Sequence, residues 1–208
     1  MKAKFTSLLL GLVAVLSSCS TPEAPEFNQL PVYDTEVVRA WGYFRQDNYL
    51  LSATGFRQAM EYDTGNSEAG ALIGLAWSLA MQDSLGKAID NFQAAISRDP
   101  ESPKPLIYAL AGLSFCYRDF DPPYNDRVRD NALAAITLDS TFVFEYKSSI
   151  NYLDLEAVLA EAYFNLANYD SAAVYADPHG ALDTTDSNYH KNLLTKINEL
   201  LTASQRGG

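Results

Sequence analysis

Residues 69–100, AGALIGLAWSLAMQDSLGKAIDNFQAAISRDP, decide the fold. Their apolar spacing predicts two consecutive helices, over 68–82 and 84–98, with Pro100 ending the second. The second carries Ala88, Phe92 and Ala95 on one face. Thirty-six residues earlier stand Ser52, Phe56 and Ala59 in the same order. A small–aromatic–small series recurring at that distance has the period of a helix pair. Taking Ala40, Ala76, Gly112 and Ala160 as the closest approach within each pair gives intervals of 36, 36 and 48. A small residue is needed there because it lets two backbones draw together, while an aromatic one turn away fills the space left at the edges.

Within 69–100, Leu75-Ala76, Ala88, Phe92, Ala95 and Pro100 resemble the tetratricopeptide repeat, although Leu72 and Leu79 stand where aromatics are usual. A second match is Leu159-Ala160, Tyr163, Tyr169 and Ala172. A third runs through Tyr108, Ala111-Gly112, Phe115, Ala132 and Ala135, and the first repeat is degenerate at Arg39 and Thr64. The resemblance implies an all-α, right-handed solenoid of about four helical hairpins over 34–208. It also implies a scaffold that binds other proteins rather than an enzyme.

Working outward, helices are expected at 35–46, 49–62, 104–118, 124–138, 153–167 and 169–177. A last helix near 187–203 sets Tyr189, Leu193, Ile197, Leu200 and Leu201 on one side, as a terminal cap requires. Residues 141–152 break the helical period: Phe142, Phe144 and Tyr146 alternate, which predicts a short extended or hairpin-like insertion packed on the solenoid.

Before the repeats, Lys2 and Lys4 precede an apolar run from Phe5 to Leu16, too short to span a bilayer and shaped like an export signal. Leu16-Ser17-Ser18-Cys19 resembles the lipobox of bacterial lipoproteins. The resemblance implies removal of residues 1–18 and lipidation of Cys19; the plainer alternative is ordinary cleavage near Ser18. Residues 19–33, with Pro22, Pro25 and Pro31, read as an extended tether. Ser20 after the cysteine fits outer-membrane sorting by enteric-type rules.

Fifteen Lys and Arg against 26 Asp and Glu give a net charge of −11, the wrong sign for a nucleic-acid binder. No HExxH, GxSxG or Walker loop occurs, and no cofactor motif. Asp119, Asp121, Asn125 and Asp126 lie in one loop, but Pro123 and Tyr124 depart from a calcium loop, so no metal is expected. Cys116 reads as a small core residue. The resemblance places Trp41 and Trp77 one residue past the small packing positions, on the concave face, with Phe44, Arg45 and Met81 beside them. These five are the candidate partner-binding residues, for a protein or peptide of the cell envelope. The competing expectations are that both indoles pack between helices, or that the aromatics of a nutrient-uptake lipoprotein stack on a glycan.

Overall fold

The computed structural model describes residues 32–63 and 69–206. The expected signal, Cys19 and the tether up to residue 31 lie outside them. Nine helices occur among the described residues: α1 (Val32–Arg45), α2 (Tyr49–Glu61), α3 (Ala69–Ala80), α4 (Leu85–Arg98), α5 (Pro103–Arg118), α6 (Asn125–Leu138), α7 (Tyr152–Asn165), α8 (Tyr169–Ala176) and α9 (Tyr189–Arg206). They agree with the expected spans to within a few residues, and α1 takes in Val32 and Tyr33. No described helix is long and apolar enough to cross a membrane.

Local chemistry sets the ends. Asn48 and Asn168 accept from backbone N–H groups in the first turns of α2 and α8. Asn151 and Asp154 form a reciprocal capping box on α7. The turns inside the first, second and fourth pairs share one geometry, each with a left-handed residue: Asp47, Asp83 and Ala167, at φ 57°, 58° and 58°. In each, that residue and the next donate back into the preceding helix, as Asp83 N and Ser84 N do to Ala80 O and Leu79 O.

Each helix packs on its sequence neighbour. Odd helices also touch the next odd helix from α1 through α9, whereas no two even helices touch. The stack therefore curves, with the odd helices on its inner side. Its joints pair bulk with absence of bulk. A Cβ built on Gly74 would lie 2.1 Å from Cζ of Phe56, and one built on Gly112 would lie 2.1 Å from Cζ of Phe92. Both phenylalanine rings of the even helices thus sit directly on glycines of the next odd helix. Within the first pair, a Cβ on Gly55 would meet Cβ of Ala40 at 3.0 Å.

This contact corrects the expected register. Spacing matched Gly112 to Ala76, yet the ring contacts match it to Gly74. The counterpart of Ala76 is Ser114, fully buried, and that of Trp77 is Phe115. The glycines of α3 and α5 stand 38 residues apart, whereas Phe56 and Phe92, whose rings rest on them, stand 36 apart.

The insertion after α6 is an extended arm folded back on itself. Phe144 N donates to Ile150 O at 2.9 Å and Tyr152 N to Phe142 O at 2.8 Å, with an antiparallel bridge between Val143 and Asn151. Phe142 and Phe144 are buried. At the far end α9 packs on α7 and α8, and Leu193 and Ile197 join Ala160, Ala172 and Ala176 in a second small core. Lys196 donates to the buried carboxylate of Asp177 at 2.9 Å, and Asp177 also accepts from Leu182 N. These bonds hold the Asp177 carboxyl below the usual carboxylate range.

Candidate functional site

The inner side of the array presents Trp41 and Phe44 from α1, Trp77 from α3 and Tyr108 from α5. The insertion covers them. Phe144 has ring neighbours on all three helices: Trp41 at 5.9 Å, Phe44 at 5.9 Å, Trp77 at 4.5 Å and Tyr108 at 4.9 Å. Tyr146 lies flat on Trp41, 3.5 Å between centroids and 3° between planes. Arg45 stands over the Tyr146 ring, 5.4 Å from its centroid. Such ring pairs contribute about 0.5–1.5 kcal/mol each beyond the area they bury.

Of the five candidates, the structure brings Trp41, Phe44 and Arg45 together around the chain's own insertion. Trp41 is 5% exposed and Phe44 not at all. Trp77 is packed in the same way, 1% exposed and stacked on Phe144, so both indoles lie between helices and insertion rather than on a free face. Trp77 also lines, with Met81, an open cleft of about 470 Å3 further along the inner side. Its apolar wall includes Leu85, Phe115, Ile150, Val158 and Leu201. Sequence reasoning missed these residues. Phe115 was within reach had the third repeat been read two residues over; Ile150 and Leu201 come from the insertion and the cap, which no repeat register addresses.

The charged residues lining the cleft are Arg118, Asp119, Lys147 and the buried Asp154. Arg118 Nε donates to Glu161 at 2.6 Å, and Lys147 Nζ donates to Asp47 at 2.8 Å. Burial raises the Asp119 carboxyl, opposed by Arg118 and reinforced by Asp83. Cys116, a buried free thiol in the wall, is pushed up to about 12 by burial, which favours the protonated thiol at neutral pH. The Trp77 Nε1–H is buried and donates to nothing among the described residues. No group of three or more His, Cys, Asp or Glu among them is gathered to hold a metal ion, the Asp119–Asp126 loop included.

No protein-family model matches this chain, and no curated protein matches it. Among solved structures it is similar to a tetratricopeptide repeat protein from Parabacteroides merdae ATCC 43184, with a TM-score of 0.56 and 12% identity. The match covers 84% of this chain and 63% of that one, so the chain spans less than two thirds of its neighbour's length. Likeness at this identity concerns the backbone. The chain folds as a tetratricopeptide-like array of helical hairpins.

Proposed function

We propose that this chain is a non-catalytic adaptor, lipid-anchored at the bacterial cell envelope, that holds a protein partner on the inner side of its helical stack. The observation that carries the reading is the open cleft beside Trp77 and Met81, lined from the four odd helices α3, α5, α7 and α9, from Leu85 of α4 and from the insertion. Repeat arrays of this kind use curved surfaces for binding, and their residues need not perform chemistry. The cover over Trp41 favours a protein over a glycan, because the indole face that would stack on a sugar is already taken by Tyr146.

The anchor belongs to the same proposal. Cleavage before Cys19 and acylation of its thiol would leave residues 20–31 as the link to α1 at Val32. Two or more acyl chains hold a protein stably to a bilayer, since each buried methylene contributes about 0.8 kcal/mol. Lipid rather than charge must do this, because without residues 1–18 the chain carries 13 basic against 26 acidic side chains. Ser20 points to the outer membrane.

Crosslinking of the full chain in native membranes, followed by pull-down, tests the adaptor: a stoichiometric protein partner is expected, and recovery of none would overturn it. Mass spectrometry of the mature amino terminus tests the anchor. Diacylglycerol on Cys19 is expected, and an unmodified thiol there refutes it.

A further inference from the structure

The tip of the insertion, Glu145 to Ser149, is held less firmly than its root. Phe142 and Phe144 are buried, and Phe144 N donates to Ile150 O, whereas Glu145 and Ser148 are exposed and Tyr146 and Lys147 only partly buried. The tip's own backbone bonds, Lys147 N to Phe144 O at 3.1 Å and Ile150 N to Lys147 O at 2.9 Å, close within the segment. Its ties to the helices are a bond from the Glu145 N–H to the Tyr108 hydroxyl and two ion pairs, Lys104 to Glu145 at 2.5 Å and Lys147 to Asp47 at 2.8 Å. Both pairs lie at the surface, where such contacts add little to stability.

Beneath the tip is a position built by the helices themselves. Tyr146 lies flat on the Trp41 indole with Arg45 over its ring, and a hollow of about 160 Å3 between α1, α3 and α5 opens beside them, with Ile73 and Pro105 in its wall. Glu145 is set between two cations of the array. Burial opposes its ionisation, yet bonds from Lys104 and the Tyr146 hydroxyl, together with the charges of Lys104 and Arg45, hold its carboxyl below the usual carboxylate range. Lifting the tip would uncover an indole face flanked by Arg45 and Lys104, both relieved of their contacts with it.

We propose that Glu145 and Tyr146 are an intramolecular stand-in, occupying a docking position that receives an acidic residue and a neighbouring aromatic residue of the partner protein. The inference rests on the adaptor reading and adds a second contact for the partner, with its chemistry. The chain's own pair shows what fits: a ring on Trp41 and a carboxylate between Arg45 and Lys104. The two cations attract such a segment and disfavour a basic one. Because the lifted tip is a minor state, the partner's apparent affinity is reduced by the fraction of molecules in which the tip is open, so the tip sets a threshold for binding.

The test titrates the acetylated, amidated peptide Gly-Ser-Glu-Tyr-Ser-Gly into the isotopically labelled protein and into its Tyr146→Ala variant, followed by NMR. Two control peptides carry lysine for the glutamate or alanine for the tyrosine. The variant is expected to bind the first peptide about tenfold or more tightly than the parent, because its competitor is gone, with shifts at Trp41, Arg45, Gly70 and Lys104. Lysine should remove most of that affinity and alanine all of it. The parent should bind at the same resonances, more weakly, while its Tyr146 ring signals move to solvent-exposed values as the tip leaves. Binding by the variant alone would overturn the proposal, being only the refilling of a gap. Tyr146→Phe keeps the ring and should bind like the parent. Were Tyr146→Ala not to fold, Glu145→Gln, an exposed change, gives the same comparison with a gain of about two- to threefold. Equal binding by parent and variant, no preference for glutamate over lysine, or shifts away from Trp41 would also overturn the proposal. So would a dimer whose tips are exchanged between copies, which would assign the position to a second copy. A partner captured from membranes equally by parent and variant while the peptides fail leaves the adaptor standing and removes this docking position; peptides that bind while no partner is captured remove the adaptor alone.

Discussion

The joints between successive helix pairs are built in two ways. At α2/α3 and α4/α5 an even helix supplies a phenylalanine and the next odd helix supplies a glycine under its ring, Phe56 on Gly74 and Phe92 on Gly112. At α6/α7 the even helix buries only Val128, Ala132 and Ala135, and the bulk lies on the odd helix as Leu155, Val158 and Leu159. Close packing can be met with the bulk on either side of a joint.

If the bulk has changed sides, truncating either bulky partner should be costly. Phe92→Ala and Leu159→Ala should each destabilise by about 2–5 kcal/mol, read from denaturant midpoints at constant slope. A loss below about 1 kcal/mol for Leu159→Ala would mean the third joint is not load-sharing in this way. Phe144→Ala belongs in the same range, because its ring is fully buried and meets rings from three helices and from Tyr146.

Filling the absence should cost less. Gly112→Ala places a methyl 2.1 Å from the Phe92 ring, and overpacking costs about 1–3 kcal/mol, of which about 1 is returned by alanine's better helix propensity. A net loss of about 1 kcal/mol is expected. Combining it with Phe92→Leu should lose less than the sum of the two single changes, since the smaller side chain vacates the clash. Strict additivity would show that the ring and the glycine do not share one contact.

Most of this architecture was legible because helix pairs repeat and periodicity survives substitution. Phe56, Phe92, Ala59 and Ala95 announce the repeat, and the alternation of Phe142, Phe144 and Tyr146 announces the insertion. The third joint was harder to read for a physical reason: α6 buries Val128, Ala132 and Ala135 with no aromatic to mark the repeat, and a spacing rule inspects one helix at a time. The two-residue shift at Gly112 was hidden because the even helices keep a period of 36 from Phe56 to Phe92 while the glycines beneath them stand 38 apart. Of the site, the inner position of Trp41 and Trp77 follows from the repeat, but whether they face solvent depends on where an insertion folds, and Leu201 enters the cleft only through the docking of α9.

The cap sharpens the comparison by adding charge to a joint of alanines. Asp177 is buried, yet its carboxyl lies below the usual range, chiefly through Leu182 N–H and then Lys196. A depressed folded value stabilises the protein above the unfolded one, and that contribution is lost as pH falls through the folded value. Asp177→Asn should therefore melt lower than the parent at pH 7, with the difference shrinking below the ordinary value of 3.8. A difference that persists unchanged in acid would assign the effect to packing of α9 rather than to charge.

The smallest expected effect lies in the turns, where the first and fourth pairs share a backbone but differ in chemistry. Ala167 and Asp47 both hold φ near 58°. A left-handed conformation costs a residue with Cβ about 1–2 kcal/mol, and glycine escapes that cost while giving back about 0.4–1 kcal/mol through a freer unfolded chain. Ala167→Gly should thus stabilise by about 0.5 kcal/mol, a rise in melting temperature of about 1–2 °C at this chain length. Asp47→Gly relieves the same strain, but it also removes the carboxylate that accepts from Lys147 and Tyr49 and ties the insertion to the first turn. Its gain should vanish or reverse. Equal gains at both positions would mean that the Lys147 contact does not help to hold the insertion over the aromatic face, and that the rings beneath it suffice.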